Sequence, residues 1–118
     1  MKMYNYQLTI GLNDKKAKKQ LVDTDTAKII ISNILIRKFD ITAYTLFECD
    51  GVYTMKEDNS IIHEKSLRID IESLKKINTQ IIETIADYIG SAFYQESVML
   101  KINDDVRFVE IQYKNKNN

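Results

Sequence analysis

From Tyr4 to Leu12, apolar and polar side chains alternate without a break: Tyr4, Tyr6, Leu8, Ile10 and Leu12 against Asn5, Gln7, Thr9 and Gly11. Successive side chains of an extended chain point to opposite faces, so this run is a strand with one buried face. Such a strand needs a cover, and the sequence supplies two helical stripes. Ala27, Ile30, Ile31, Ile34 and Leu35 recur at the spacing i, i+3, i+4, i+7, i+8, behind Asp23 or Thr24 as a cap and Asp25 in the first turn. Ile29 and Ile36 interrupt the polar side of this helix, which points to cover on more than one side. Leu74, Ile77, Ile81, Ile85, Tyr88, Ile89 and Ala92 form the second stripe, with Ser73 as cap and Gly90 near the exit.

The remaining segments read as strands. Ile41 to Cys49 is rich in β-branched and aromatic residues and ends at Asp50-Gly51, a hairpin signal, with Val52 to Met55 as the returning strand. Ser60 to His63 is a short strand or arm, and Leu67, Ile69 and Ile71 alternate with Arg68 and Asp70. Val98, Leu100 and Ile102 make a further strand, Asn103-Asp104-Asp105 a turn, and Val109, Ile111 and Tyr113 the last strand. The order is β-α-β-β-β-α-β-β. It predicts an α+β fold: two helices packed on a mainly antiparallel sheet, a ferredoxin-like split βαβ with extra hairpin strands. Residues 1–113 are expected to form a single domain, with the KNKNN of residues 114–118 as a frayed tail.

Lys+Arg and Asp+Glu both number 17 in the 118 residues, so the formal net charge is zero. Duplex-binding domains draw most of their affinity from a basic excess, and none exists here, which argues against duplex nucleic acid as a partner. A net charge near zero also weakens the repulsion between copies, and a homo-oligomer is expected. The one cysteine, Cys49, excludes an intrachain disulfide. With no apolar signal core in MKMYNYQLTI and no long apolar stretch, the expectation is a cytoplasmic chain without a membrane partner. The crowding of Ile, Lys and Asn agrees with AT-rich coding, as in a low-GC bacterium or its phage.

Signatures of chemistry are sparse. His63 beside Glu64 is a candidate acid–base pair, though without a nearby nucleophile it reads first as an ordinary strand histidine. Cys49 reads as a buried, inert thiol. One Cys and one His do not build a usual zinc site, the scattered Asp14, Asp23 and Asp25 match no calcium loop, and no P-loop is present. Lys15-Lys16-Ala17-Lys18-Lys19 is either a phosphate grip or a solvated loop. Tyr44, Phe47, Tyr53, Phe93 and Tyr94 are either a stacking platform or packing residues. Gln95-Glu96-Ser97, where the second helix yields to a strand, either caps that helix end or lines a pocket.

Four stretches taken together resemble a family of short uncharacterised proteins of bacteria, phages and mobile elements. They are Tyr6-x-Leu8-x-Ile10-Gly11-Leu12-Asn13-Asp14, Phe47-Glu48-x-x-Gly51-x-Tyr53, Glu64-x-Ser66-Leu67 and Phe93-Tyr94-Gln95-Glu96-Ser97-Val98, spread over residues 4–102. GLND and QESV are the signature tetrapeptides. The resemblance implies a genomic setting and a fold rather than a mechanism; the Ile-rich first helix and the extra terminal strand depart from it. Small size, absent catalytic groups and expected self-association then favour a non-enzymatic binding protein of a phage or mobile element. Such an anti-CRISPR-like or sponge-like inhibitor would antagonise host defence by sequestering a nucleotide-derived signal or holding a host defence protein, with no cofactor. Its expected ligand-binding residues are Asn13, Asp14, Lys16, Tyr53, Glu64, Arg68, Gln95 and Glu96. The alternatives are a small hydrolase of nucleotide-like molecules, with Glu48, Glu64 or His63 as general base, and a ligand-free homo-oligomeric structural module.

Overall fold

A computed structural model of the chain describes residues 3–103 and 105–112. The alternating run forms β1 (Tyr4–Gly11), followed by α1 (Thr24–Asn33), β2 (Thr45–Thr54), β3 (Ile61–Ser73), α2 (Thr79–Ala92), β4 (Ser97–Ile102) and β5 (Asp105–Glu110). The strands lie in the order β2-β3-β1-β4-β5, every neighbouring pair antiparallel. This is the expected α+β, ferredoxin-like arrangement: β1 sits in the middle, and each βαβ crossover is split by an intervening strand. Both helices cover one face. Leu8 and Ile10 of β1, Leu67 and Ile69 of β3, Ile31 of α1, Ile85 and Ile89 of α2 and Leu100 of β4 are fully buried between the layers.

Asp23 caps α1, its Oδ1 accepting the Thr26 N–H at 2.9 Å. Ala27, Ile31 and Leu35 are the buried stripe, four residues apart. The helix widens into a π-helical turn over Ile34–Lys38, and Asp40 in the left-handed region (φ 55°) lets Ile41 N–H return to the Leu35 carbonyl at 2.8 Å. Ile29 and Ile36 are exposed, 62% and 46%, so no second cover comes from the described residues.

Several sequence expectations are corrected. Asp50-Gly51 does not turn: β2 runs through it, with Asp50 opposite Lys65 and Gly51 opposite Glu64. A two-residue hairpin turn of this kind requires left-handed backbone, which neither residue adopts. The turn is instead the polar segment after Thr54, where Met55 and Ser60 close at 2.9 Å and Asn59 takes φ 60°. The expected strands 41–49 and 52–55 therefore merge into β2, and 60–63 and 67–71 into β3, leaving five strands among the described residues rather than six. Ser73 is not a helix cap but the end of β3, paired with Tyr4. The cap of α2 is Asn78, whose side chain accepts the Gln80 N–H at 2.7 Å. Leu74 lies outside the helix and is exposed. Gly90 is inside α2 rather than at its exit. A Cβ there would stand 2.8 Å from Val98 Cγ2 and would overlap Ile111, so the glycine permits close helix–sheet approach. The last strand is Asp105–Glu110; Tyr113 and the tail lie outside the described residues.

Candidate functional site

Among the described residues, one face of the sheet carries no helix. On β3 the odd residues Leu67, Ile69 and Ile71 enter the core, so Glu64, Ser66, Arg68 and Asp70 point to the open side. The antiparallel register puts Tyr53, Gly51, Cys49 and Phe47 of β2 on that same side, opposite Ile62, Glu64, Ser66 and Arg68. Phe47, Arg68, Thr9, Met99 and Phe108 form one row across all five strands.

At one end of this face three segments meet. The first follows β1. Leu12 N–H donates to the Lys65 carbonyl at 2.9 Å, and Asn13 bridges to Gln20. Asp14, 9% exposed, is consumed by the loop it begins: its Oδ1 accepts the N–H groups of Lys16 at 2.8 Å and Ala17 at 2.9 Å. Those backbone donors turn inward and are unavailable to a phosphate, leaving the exposed lysine side chains as solvated loop surface.

The second segment is the end of α2. Gln95 N–H returns to the Gly90 carbonyl at 3.0 Å and Tyr94 N–H to the Ser91 carbonyl at 3.1 Å, with Tyr94 at φ 54°. This is a Schellman closure with tyrosine in the left-handed position that glycine usually takes. It sets Gln95 inward, 8% exposed, where its Nε2 donates to the Asn13 carbonyl at 2.6 Å and to the Phe93 carbonyl at 3.4 Å. Gln95 therefore closes the helix through its backbone and supports the site through its side chain. Glu96 stays exposed beside a cleft of about 340 Å³ that it lines with Lys15, Ser97 and Glu110.

The third segment is the β2–β3 hairpin, which brings Tyr53 and Glu64. Glu64 Oε2 accepts the Asn13 N–H at 2.9 Å, and its carboxylate lies across Gly11. Tyr53 is 44% exposed. Partial burial pushes its phenol up from the ordinary value, and the nearby carboxylates of Glu64 and then Glu96 push it further. The hydroxyl therefore keeps its proton at neutral pH, in the field of two carboxylates.

Asn13, Tyr53, Glu64, Gln95 and Glu96 thus come together, with Asp14 as the loop's internal acceptor. Lys16 is exposed and contributes only its backbone N–H to Asp14. Arg68 is occupied elsewhere on the open face, 3.1 Å from Asp70 and stacked 4.3 Å over the Phe47 ring. Among the three general-base candidates, Glu48 is paired with Lys28 at 2.7 Å, and His63, adjacent to Glu64 along the strand, faces the opposite way. Only Glu64 is in the cluster. The aromatic residues form no platform: Phe93 is core, Tyr44 packs against the core, and Phe47 lies under Arg68. Cys49 is half-buried on the open face rather than buried. Gly11 was absent from the expected site residues; the signal for it was a glycine closing an otherwise regular alternating strand.

No family model and no curated protein matches the sequence. Solved structures share the fold. A phage SAM lyase in complex with S-methyl-5'-thioadenosine superposes with a TM-score of 0.70 at 19% identity, covering 94% of this chain and 92% of that one. A phage SAM lyase in the apo state gives 0.60 at 24% identity, covering 93% and 90%. The GlnK–ATP complex of B. subtilis gives 0.52 at 12% identity, covering 86% and 82%. These likenesses overturn the expectation of a non-enzymatic protein. Two structures that share the fold over nine-tenths of both chains are those of a lyase, so the lack of a sequence motif for catalysis carries no weight against it. No helix among the described residues is long and apolar enough to cross a membrane.

Proposed function

We propose that the chain is a lyase acting on S-adenosylmethionine, encoded by a phage or mobile element and serving against host defences that depend on this methyl donor. The observation that carries the reading is the meeting of Tyr53, Glu64 and Glu96 at one end of the open face, in a fold shared with phage SAM lyase. Two carboxylates and an aromatic ring make an anionic, π-rich site, suited to a ligand bearing sulfonium and ammonium charges. In the reaction an oxygen of the substrate's own carboxylate bonds to the aminoalkyl carbon as the bond from that carbon to sulfur breaks, closing a five-membered amino-lactone, and sulfur leaves with the electron pair as the neutral thioether S-methyl-5'-thioadenosine. A carboxylate set against the sulfonium itself would stabilise the substrate over the transition state, where that charge is vanishing. Glu64 is therefore assigned to the substrate's ammonium, and the Tyr53 hydroxyl to an oxygen of the same aminoacyl end.

The reading includes self-association. Phe47, Met99, Val106 and Phe108 are exposed on the open face at 40%, 37%, 52% and 68%, an apolar surface that a second copy would cover. The test is incubation of the purified chain with S-adenosylmethionine, with S-methyl-5'-thioadenosine followed by liquid chromatography and mass spectrometry. Wild type is expected to form it well above the uncatalysed rate and Tyr53→Phe to form it more slowly. Formation no faster than in buffer would overturn the assignment.

A further inference from the structure

We propose that Gly11 and Gln95 are positioning residues that set the Glu64 carboxylate, one by leaving room for it and the other by holding its hydrogen-bond donor. The inference rests on the reading of Glu64 as the acidic group that meets the substrate.

A surface carboxylate is commonly held by a lysine or arginine. The ion pairs among the described residues are Lys28–Glu48, Lys65–Asp50, Arg68–Asp70 and Arg107–Asp105, and none includes Glu64. Its orientation comes from neutral groups instead, which leaves its charge for a cationic ligand. On one side stands the Asn13 N–H, 2.9 Å from Oε2. Beneath it is Gly11, where a Cβ would lie 2.5 Å from the Glu64 Cδ and Oε2, inside any real contact distance. Gly11 has no positive φ and belongs to a regular strand, so its backbone would accept any residue. What the glycine provides is space. Every larger residue would displace the carboxylate, because backbone at the centre of the sheet cannot move aside.

Asn13 needs its own support, since β1 ends at Gly11. Beyond that strand, its carbonyl is taken by the Gln95 amide at 2.6 Å, from a residue 82 positions away. Gln95 is buried and its backbone is locked by the Schellman closure of α2. The path Gln95–Asn13–Glu64 therefore ties the acid on the β2–β3 hairpin to the end of α2. A carboxylate shifted by about 1 Å is enough to lower turnover by on the order of 10²-fold.

The experiment compares Gly11→Ala, Gln95→Leu and Gln95→Glu with wild type. It measures turnover of S-adenosylmethionine across pH, and separately the binding of S-methyl-5'-thioadenosine by calorimetry. The product lacks the ammonium assigned to Glu64, so its binding reports an intact fold. Gly11→Ala and Gln95→Leu are expected to lose at least about tenfold in turnover while product affinity is kept. In Gln95→Glu the new carboxyl repels the Asn13 carbonyl when ionised and donates to it when protonated. Its turnover relative to wild type should therefore recover as pH falls, whereas that of Gln95→Leu stays flat. Wild-type turnover in both Gly11→Ala and Gln95→Leu would overturn the inference alone. Parallel loss of turnover and product binding would overturn it too, reducing both residues to structural ones. Absence of any cleavage by wild type would bring down the proposed reaction and this inference with it.

Discussion

Along β3, Leu67, Ile69 and Ile71 lie at most 2% exposed beneath the helices, while their neighbours Arg68 and Asp70 face the other way, onto a surface that no helix among the described residues covers. The covered face is aliphatic and close-packed, and shape alone decides who fits there. The open face is a mixture of charged, aromatic and small residues, and the cluster at its end is held by hydrogen bonds that involve backbone: Asn13 to Glu64, Gln95 to Asn13. The contrast shows how a chain this short separates two tasks. One parity of each strand supplies stability, and the other is released to hold groups whose positions depend on polar geometry.

Substitutions that respect this division should separate stability from turnover. The largest effect is expected from Glu64→Gln on the open face: turnover of S-adenosylmethionine falls by on the order of 10²-fold as the ammonium loses its anchor, with the urea midpoint unchanged. A midpoint that fell with turnover would show Glu64 to be structural. Next is Ile69→Ala, five residues along the same strand but facing the core. It should lower stability by about 2–5 kcal/mol in urea titration, while the KM of the folded fraction stays at the wild-type value. Asn78→Ala removes the cap of α2, far from the cluster, and should cost about 1 kcal/mol without altering turnover. The smallest effect concerns pH. The hydrogen bond and charge of Lys28 hold the Glu48 carboxyl below its ordinary value. A folded value below the unfolded one means that the pair's contribution is complete above the unfolded value and fades as pH falls through the folded one. Thermal melts of wild type and Glu48→Gln should therefore differ slightly at neutral pH and converge in acid; a constant difference would dismiss the pair.

The errors of sequence reading follow the same physics. β1, the Asp23 cap and the buried stripe of α1 were legible because period and capping are local. Asp50-Gly51 misled because a continuous partner strand, β3, pairs with it and outweighs its turn preference. Ser73 misled because pairing with Tyr4, far away in sequence, keeps it in the sheet and delays α2 until Asn78. Lys16 and Arg68 carried suitable chemistry for a ligand site, but the loop leaves Lys16 in solvent, and Arg68 is spent on Asp70 and Phe47.

Periodicity in the sequence was enough for the fold class, for β1 as a strand with one buried face, and for most faces that enter the core, and residue chemistry singled out Asn13, Tyr53, Glu64, Gln95 and Glu96 as candidates. Only tertiary structure decided how they are used. Periodicity acts over a few residues, whereas the contacts that orient the site join positions 51 and 82 apart. The room above Gly11 exists only once the β2–β3 hairpin lies beside β1 and Glu64 folds across it. Which acid is bound to a lysine and which is held by backbone alone is a matter of register and of the helix packed alongside, and no local pattern encodes it.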